Sequence, residues 1–368
     1  MKKIDLYSVS LGLALLMFLV VLMMIFTGNI ESAGPYILVF FAVLALGFSG
    51  YKTLNGLVFT TMIFAGVSAA LYYPETFTLV GDFKLTILII PLIQIIMFGM
   101  GTQMGIKDFA AVLKNPKGVL IGVAAQLLIM PLVGFALAKT SNFPPEIAAG
   151  IVLIGCSPSG VASNVMAYLA NANLALSITI TSIATLLAPL LTPLMMKLLA
   201  GEFVEIDVLD MMWSITKMII IPIGAGLLFN WHLKIKWLDR AMPVVSMLAI
   251  GIIITIITAA GRDSLLDIGS ILMLLVLIHN IFGYTLGYWF ARLFKMPEQD
   301  ARTIAIEVGM QNGGLASGIA NSLGKIATMG LASAVFGPLM NITGSILASY
   351  WHKRPPKKDE NSKVQELS

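Results

Sequence analysis

Charge is scarce in this chain of 368 residues: Asp, Glu, Lys and Arg together make up 11%, against 58% hydrophobic side chains. A water-soluble domain of this length needs far more charge to cover its surface, so that class is excluded. Cysteine is almost absent. The single Cys156 rules out an internal disulfide framework and a multi-cysteine metal site. Catalytic signatures are missing too. No HExxH, no phosphate-cradling Gly-Lys-Ser/Thr loop and no Ser-His or paired-Asp constellation lies within the apolar runs, so an intramembrane enzyme is a remote reading, as is a non-transporting sensor or channel. The net charge of +4 is no nucleic-acid footprint, because the Lys and Arg sit in short loops and tails.

What the chain has is apolar length. Its mean hydropathy is +0.92. Continuous rather than alternating apolar runs of about 20 residues, enough to cross a hydrocarbon core of roughly 30 Å, specify an all-α polytopic membrane protein rather than a β-barrel. Twelve such segments are read, at 8–26, 35–48, 54–73, 85–105, 118–139, 146–170, 173–199, 211–230, 241–260, 268–293, 301–322 and 326–351. The first is longer than a signal-peptide core and no small-x-small cleavage site follows, so a retained helix is expected. The 22 Met serve as flexible core filler. With the N-terminus inside, seventeen of the 23 Lys and Arg fall on the cytoplasmic side and the acidic loop 202–210 falls outside. This bias predicts cytoplasmic termini, and it counts 35–48 as a span, since omitting it would invert the bias; the expected location is the cell inner (plasma) membrane. The polar tail 352–368 is expected to be disordered.

One carboxylate stands at membrane depth. Glu307 lies in Glu307-Val308-Gly309-Met310-Gln311-Asn312-Gly313-Gly314, an otherwise uncharged segment whose glycines are poor at continuing a helix and good at exposing backbone. A buried ionised side chain costs several kcal/mol unless it is paired or coordinated, so Glu307 is a candidate ion or proton site. A second break, Gly155-Cys156-Ser157-Pro158-Ser159-Gly160, echoes the first, and Gly160-Val161-Ala162-Ser163 matches Gly314-Leu315-Ala316-Ser317. Paired interruptions in two halves point to inverted repeats around a central site. Each broken segment is the fourth of a five-helix unit, 54–199 and 211–351, and an odd number of spans per unit sets the two units in opposite orientation. Residues 1–50 stand outside the repeat.

A weakly held hard cation such as sodium wants mostly neutral oxygens and about one carboxylate. Ser163 and Asn164 follow the first break, Ser177 and Thr181 share one face of the next helix, Gln126 lies deep in its span, and Glu307 and Gln311 belong to the second break. The structural alternative for Ser177 or Thr181 alone is a bond to the backbone a turn earlier. Lys217 is read as snorkelling outward, His279 and Asn280 as making a helix-to-helix hydrogen bond rather than a proton relay, and Pro222 and Pro243 as kinks. The sequon Asn341-Ile342-Thr343 lies inside a span, where it cannot be glycosylated.

The motifs at 155–170, 174–181, 191–194 and 307–316, with His279-Asn280, resemble the bile acid:sodium symporter family over about residues 52–351. The resemblance implies a ten-helix, five-plus-five inverted repeat, here preceded by two additional N-terminal transmembrane helices. Panel helices would be 54–73 and 85–105 in the first repeat (51–200) and 211–260 in the second (201–351); core helices would be 118–199 and 268–351. It implies two coupling sodium ions, the first at Ser163, Asn164, Ser177, Thr181 and Glu307, the second at Gln126, Glu307, Gln311 and the carbonyls of Val308 and Met310. Asn312 and Asn341 match substrate-facing positions. Ser159 and Val161 depart from the family's Pro-Gly-Gly-Thr pattern, and Met340 stands where many members have His; these altered positions are expected on the substrate side. The implied activity is sodium-coupled symport of an organic anion, bile-acid-like or a smaller carboxylate, by alternating access. The alternative is proton coupling through Glu307. No obligate protein partner is inferred beyond the lipid bilayer and the small anion.

Overall fold

A computed structural model describes residues 5–51, 54, 56–105, 116–233 and 236–356. Lys2, Lys3, Lys52, Lys107, Lys114 and Lys234, used in the topology count, lie outside the described residues, as does most of the tail, 357–368. Each of the twelve apolar segments carries helix, and the protein is an all-α polytopic membrane protein. Eight described segments are long and apolar enough to cross a membrane, with shorter apolar helices at Gly34–Ser49, Gly56–Tyr72 and Pro145–Cys156.

The helices are α1 (Leu6–Phe26), α2 (Gly34–Ser49), α3 (Gly56–Tyr72), the short α4 (Pro74–Thr78), α5 (Ile89–Gln103), α6 (Pro116–Thr140), α7 (Pro145–Cys156), α8 (Val161–Leu169) and α9 (Leu174–Ala200). They continue as α10 (Val208–Met218), α11 (Ile220–Leu233), α12 (Lys236–Ala260), α13 (Arg262–Leu293), α14 (Glu298–Gly309), α15 (Gly313–Ser322) and α16 (Leu331–His352). A small antiparallel hairpin, β1 (Leu79–Val80) with β2 (Phe83–Lys84), turns at Gly81 with φ 61°. The segment read as one span at 211–230 is divided at Ile219. Pro222 has no N–H for the Met218 carbonyl, and its ring crowds that carbonyl.

Helices α3, α5, α10, α11 and α12 pack against one another, with α2 leaning on α3 and α1 on α2; α6 to α9 and α13 to α16 form the other cluster. At its centre lie α7, buried from Ile147 to Cys156, and α14, buried from Asp300 to Gly309. Both stop at mid-chain breaks. Pro158 disfavours helix at the preceding Ser157, which is extended at φ −78° and ψ 147°. At the second break Met310 is extended at φ −110° and ψ 100°. Gly309 is needed for a different reason: a Cβ there would stand 2.2 Å from the Tyr284 ring of α13.

The two breaks cross and are sewn together. Ser159 and Gln311 form an isolated antiparallel bridge, in which the Gly160 amide donates to the Met310 carbonyl at 3.2 Å and the Asn312 amide to the Pro158 carbonyl at 2.8 Å. These bonds satisfy unwound backbone that has no water to turn to. With Ser159 set against Gln311, Gly160 and Asn312 hold equivalent positions, each one residue past the bridge, whereas the Gly-x-Ala-Ser spelling matches Gly160 to Gly314, two residues out of register. The linkers around the two broken helices repeat as well. Asn142 (φ 54°), Asn171 (φ 52°), Lys295 (φ 57°) and Gly324 (φ 69°) each stand two residues beyond α6, α8, α13 and α15, so each broken pair, α7 with α8 and α14 with α15, is bounded at both ends by a left-handed stop.

Candidate functional site

Glu307 lies in the last turn of α14 with 0% exposure. Three hydroxyls donate to its carboxylate: Ser177 Oγ to Oε1 at 2.5 Å, Thr181 Oγ1 to Oε2 at 2.7 Å and Ser159 Oγ to Oε2 at 2.5 Å. The spacing of Ser177 and Thr181 puts both on the face of α9 turned to α14, while Ser159 arrives from the first break. With those protons given to Glu307, Asn164 Oδ1 lies 2.8 Å from Ser177 Oγ and 3.4 Å from Thr181 Oγ1, and Ser163 Oγ lies 3.4 Å from Thr181 Oγ1 while donating to the Gly160 carbonyl at 2.7 Å. All five residues expected at the first ion position are thus brought together, from the consecutive α8 and α9 and the distant α14.

Ser159 was expected on the substrate side. Its side chain is instead fully buried and turned onto Glu307 and Thr181, because the crossing bridge fixes its backbone and leaves only the interior for its hydroxyl.

Gln126 and Gln311 form the second group. Gln126 Nε2 donates to Gln311 Oε1 at 2.7 Å and to the Ser157 carbonyl at 3.1 Å, and Gln311 Nε2 donates to the Val308 carbonyl at 2.6 Å. The Met310 carbonyl is occupied by the Gly160 amide. Gln126 Oε1, buried, has no hydrogen-bond partner.

Charge balance decides what this arrangement can do. Among the described residues the ion pairs are Lys139–Glu202, Arg262–Asp263, Arg302–Glu298 and Lys325–Glu146, all away from Glu307. Hydroxyl dipoles lower the cost of the buried charge without cancelling it. Nor do the described residues hold any group of three or more His, Cys, Asp and Glu fit for a transition metal. One carboxylate among neutral hydroxyl, amide and carbonyl oxygens suits a hard, singly charged cation. The hydroxyls that now donate to Glu307 can rotate to offer lone pairs to such an ion, so the donor set fits sodium in both places.

Support comes from residues behind the break. Asn280 Nδ2 donates to the Gly309 carbonyl at 2.8 Å, and its Oδ1 accepts from Thr343 at 2.6 Å; Tyr284 Oη donates to the Met340 carbonyl at 3.3 Å. His279 Nε2 donates to the Met130 carbonyl at 2.9 Å. His279 and Asn280 therefore make the helix-to-helix hydrogen bonds expected of them. Tyr284 and Thr343 carried no signal in the sequence beyond being polar in apolar helices.

On the other side of the crossing, Asn312 Oδ1 accepts from the Leu315 amide at 3.0 Å and caps α15. Val161 opens α8 at 38% exposure, directly after Gly160, whose Cβ direction points to Asn312 Cα 3.6 Å away. Asn341 is half-buried on α16, between Gly337, which faces Gly313, and Gly344, which faces Met310. Val161 thus follows the first break and Asn312 the second, and among the described residues no hydrogen bond joins Val161, Asn312 or Asn341 to the Glu307 cluster.

A helical membrane protein whose two broken helices cross over a buried, unneutralised carboxylate belongs to the class of ion-coupled carriers. The comparisons are specific. A profile described as the Sodium Bile acid symporter family matches residues 90–269. The uncharacterized sodium-dependent transporter YocS of Bacillus subtilis is 39% identical over 298 residues, covering 80% of this chain and 91% of that protein. The probable sodium/metabolite cotransporters BASS1 of chloroplasts in Arabidopsis thaliana and rice are 32% and 30% identical, covering 73% and 81% of this chain and 68% and 73% of theirs. The chain belongs to the Sodium Bile acid symporter family, and it is a transport protein rather than an enzyme.

Proposed function

We infer that the protein is a sodium-coupled symporter of an organic anion that works by alternating access. The observation that carries this is Glu307, buried, held by three hydroxyls and without a basic partner among the described residues. The missing countercharge is the coupling ion. The first sodium takes oxygens from Ser163, Asn164, Ser177, Thr181 and Glu307; the second takes Gln126, Glu307, Gln311 and the Val308 and Met310 carbonyls. Sodium supplies the positive charge that lets both breaks keep their crossing, and the crossing presents Val161, Asn312 and Asn341 to the anion. The half-helices α8 and α15 also aim their amide ends at this region, which favours negative charge.

The ten-helix inverted repeat is supported by the self-symmetric bridge at Ser159 and Gln311 and by the matched left-handed stops in the two halves. In this reading α6 to α9 and α13 to α16 form the core, α3, α5 and α10 to α12 the panel, and the core moves against the panel in the cell inner membrane with both termini cytoplasmic. The substrate class is an organic anion, bile-acid-like or a smaller carboxylate.

Reconstituted protein in sealed liposomes is expected to take up a carboxylate in response to an inward sodium gradient. Glu307→Gln, which keeps the shape and removes the charge, is expected to abolish that response. Uptake that follows pH and ignores sodium would establish proton coupling through Glu307 instead.

A further inference from the structure

The interior leaves few polar atoms without partners. Among the described residues the buried side-chain atoms lacking a hydrogen bond are Gln126 Oε1, His279 Nδ1 and Thr185 Oγ1. Thr185 is 0% exposed. A threonine in a membrane helix ordinarily bonds the carbonyl one turn back, as Thr179 does to Ala175 at 2.7 Å. Thr185 makes no such bond.

Its position says where the hydroxyl points. At about 100° per residue, Ser177, Thr181, Thr185 and Thr192 fall on one face of α9. Two of its neighbours on that face touch the first break at either end: Thr192 Oγ1 donates to the Cys156 carbonyl at 2.8 Å, and Thr181 Oγ1 meets Ser159 Oγ at 3.3 Å. Thr185 stands between them and so faces the Ser157-Pro158 stretch. From the other side α6 brings Gln126, whose amide nitrogen is spent on the Ser157 carbonyl and Gln311, leaving Oε1 free. A Cβ at Gly122, one turn before Gln126, would touch Ile180 of α9, so Gln126 and Thr185 lie at the same depth on adjacent helices.

We propose that Thr185 Oγ1 is a further ligand of the second cation position, placed opposite Gln126 Oε1 across the first break. Two lone-pair donors buried without partners at one depth are costly unless something accepts them, and a cation does. The position then spans α6, α9 and both breaks, so that ion binding ties α9, which already serves the first ion, to the second. This rests on the sodium reading given above.

The test is the thermal unfolding midpoint of the purified full chain in detergent against sodium chloride, with choline chloride holding ionic strength constant. A bound ion raises the midpoint by an amount that grows as the logarithm of its concentration once that concentration exceeds its dissociation constant, with a steeper slope when two ions bind. Thr185→Val keeps the shape and removes the oxygen. It is expected to raise the sodium concentration at which the midpoint begins to climb about ten-fold and to lower the slope toward that of a single ion, while Thr185→Ser restores the wild-type curve. Thr185→Ala gives the same comparison should the valine variant not fold. Wild-type response to sodium with no change in either Thr185→Val or Thr185→Ala overturns the assignment of Thr185 alone. No response of the wild-type chain to sodium overturns the coupling reading itself.

Discussion

Glu307 and its three hydroxyl donors set the behaviour of the site residue by residue. Ser177 and Thr181 each contribute one short bond to the carboxylate and one contact to Asn164, so Ser177→Ala and Thr181→Val are each expected to raise the half-saturating sodium concentration about ten-fold. Ser159 separates two roles that the sequence could not. Because its hydroxyl lies on Glu307, Ser159→Ala is expected to shift sodium dependence and leave the substrate concentration for half-maximal uptake unchanged at saturating sodium. Asn341→Ala is expected to do the reverse. Matching shifts for the two variants would contradict the division of the crossing into an ion side and an anion side. Asn280 is a stability residue. Replacing it by Leu leaves the Gly309 carbonyl without its donor, a cost of about 1–3 kcal/mol, to be read as a lower unfolding midpoint in sodium-free buffer.

At the scale of the element, the breaks explain why a carboxylate can sit where it does. Backbone freed from helix is satisfied by the Ser159–Gln311 bridge, and the N-cap of α15 by Asn312. Gly309→Ala is expected to unfold or mispack the second break, since the new methyl would meet the Tyr284 ring at 2.2 Å; a drop in folded yield on size exclusion checks it, and an unchanged yield with unchanged sodium response would refute the tight approach. Much of this scale was legible in advance. Apolar length located the twelve helical segments, and the Gly, Pro and Asn punctuation located both breaks. Three things were not legible. The division at Ile219 depends on how α10 and α11 settle around Pro222, which a hydropathy window averages away. The fate of Ser159 depends on which side of an unwound strand faces inward, and periodicity is silent where no helix continues. The register of the two halves comes from an exchange of backbone hydrogen bonds, which the similar spelling of two short motifs did not reproduce.

At the scale of the molecule, the inferred mechanism needs the two packed groups to slide past one another while each stays whole. Their contact is small-residue and apolar where it is closest: Gly318 of α15 faces Ile93 of α5 and Met218 of α10, and a Cβ at Gly318 would overlap Ile93. Close approach without interlocking side chains suits a surface that must move. Beside it Asn321 Nδ2 donates to the Thr86 carbonyl at 3.2 Å, one of the direct bonds between the groups. Thr86→Cys together with Asn321→Cys, oxidised to a disulfide, is therefore expected to stop sodium-driven uptake, and reductant to restore it; the native Cys156 is buried and takes no part. The control joins Tyr7→Cys of α1 to Gly50→Cys just after α2, where a Cβ at Gly50 lies next to the Tyr7 Cβ, and its oxidation is expected to leave uptake intact. If the first disulfide forms and transport continues at the wild-type rate, the two groups do not move against one another at this contact, and the alternating-access assignment of core and panel fails there.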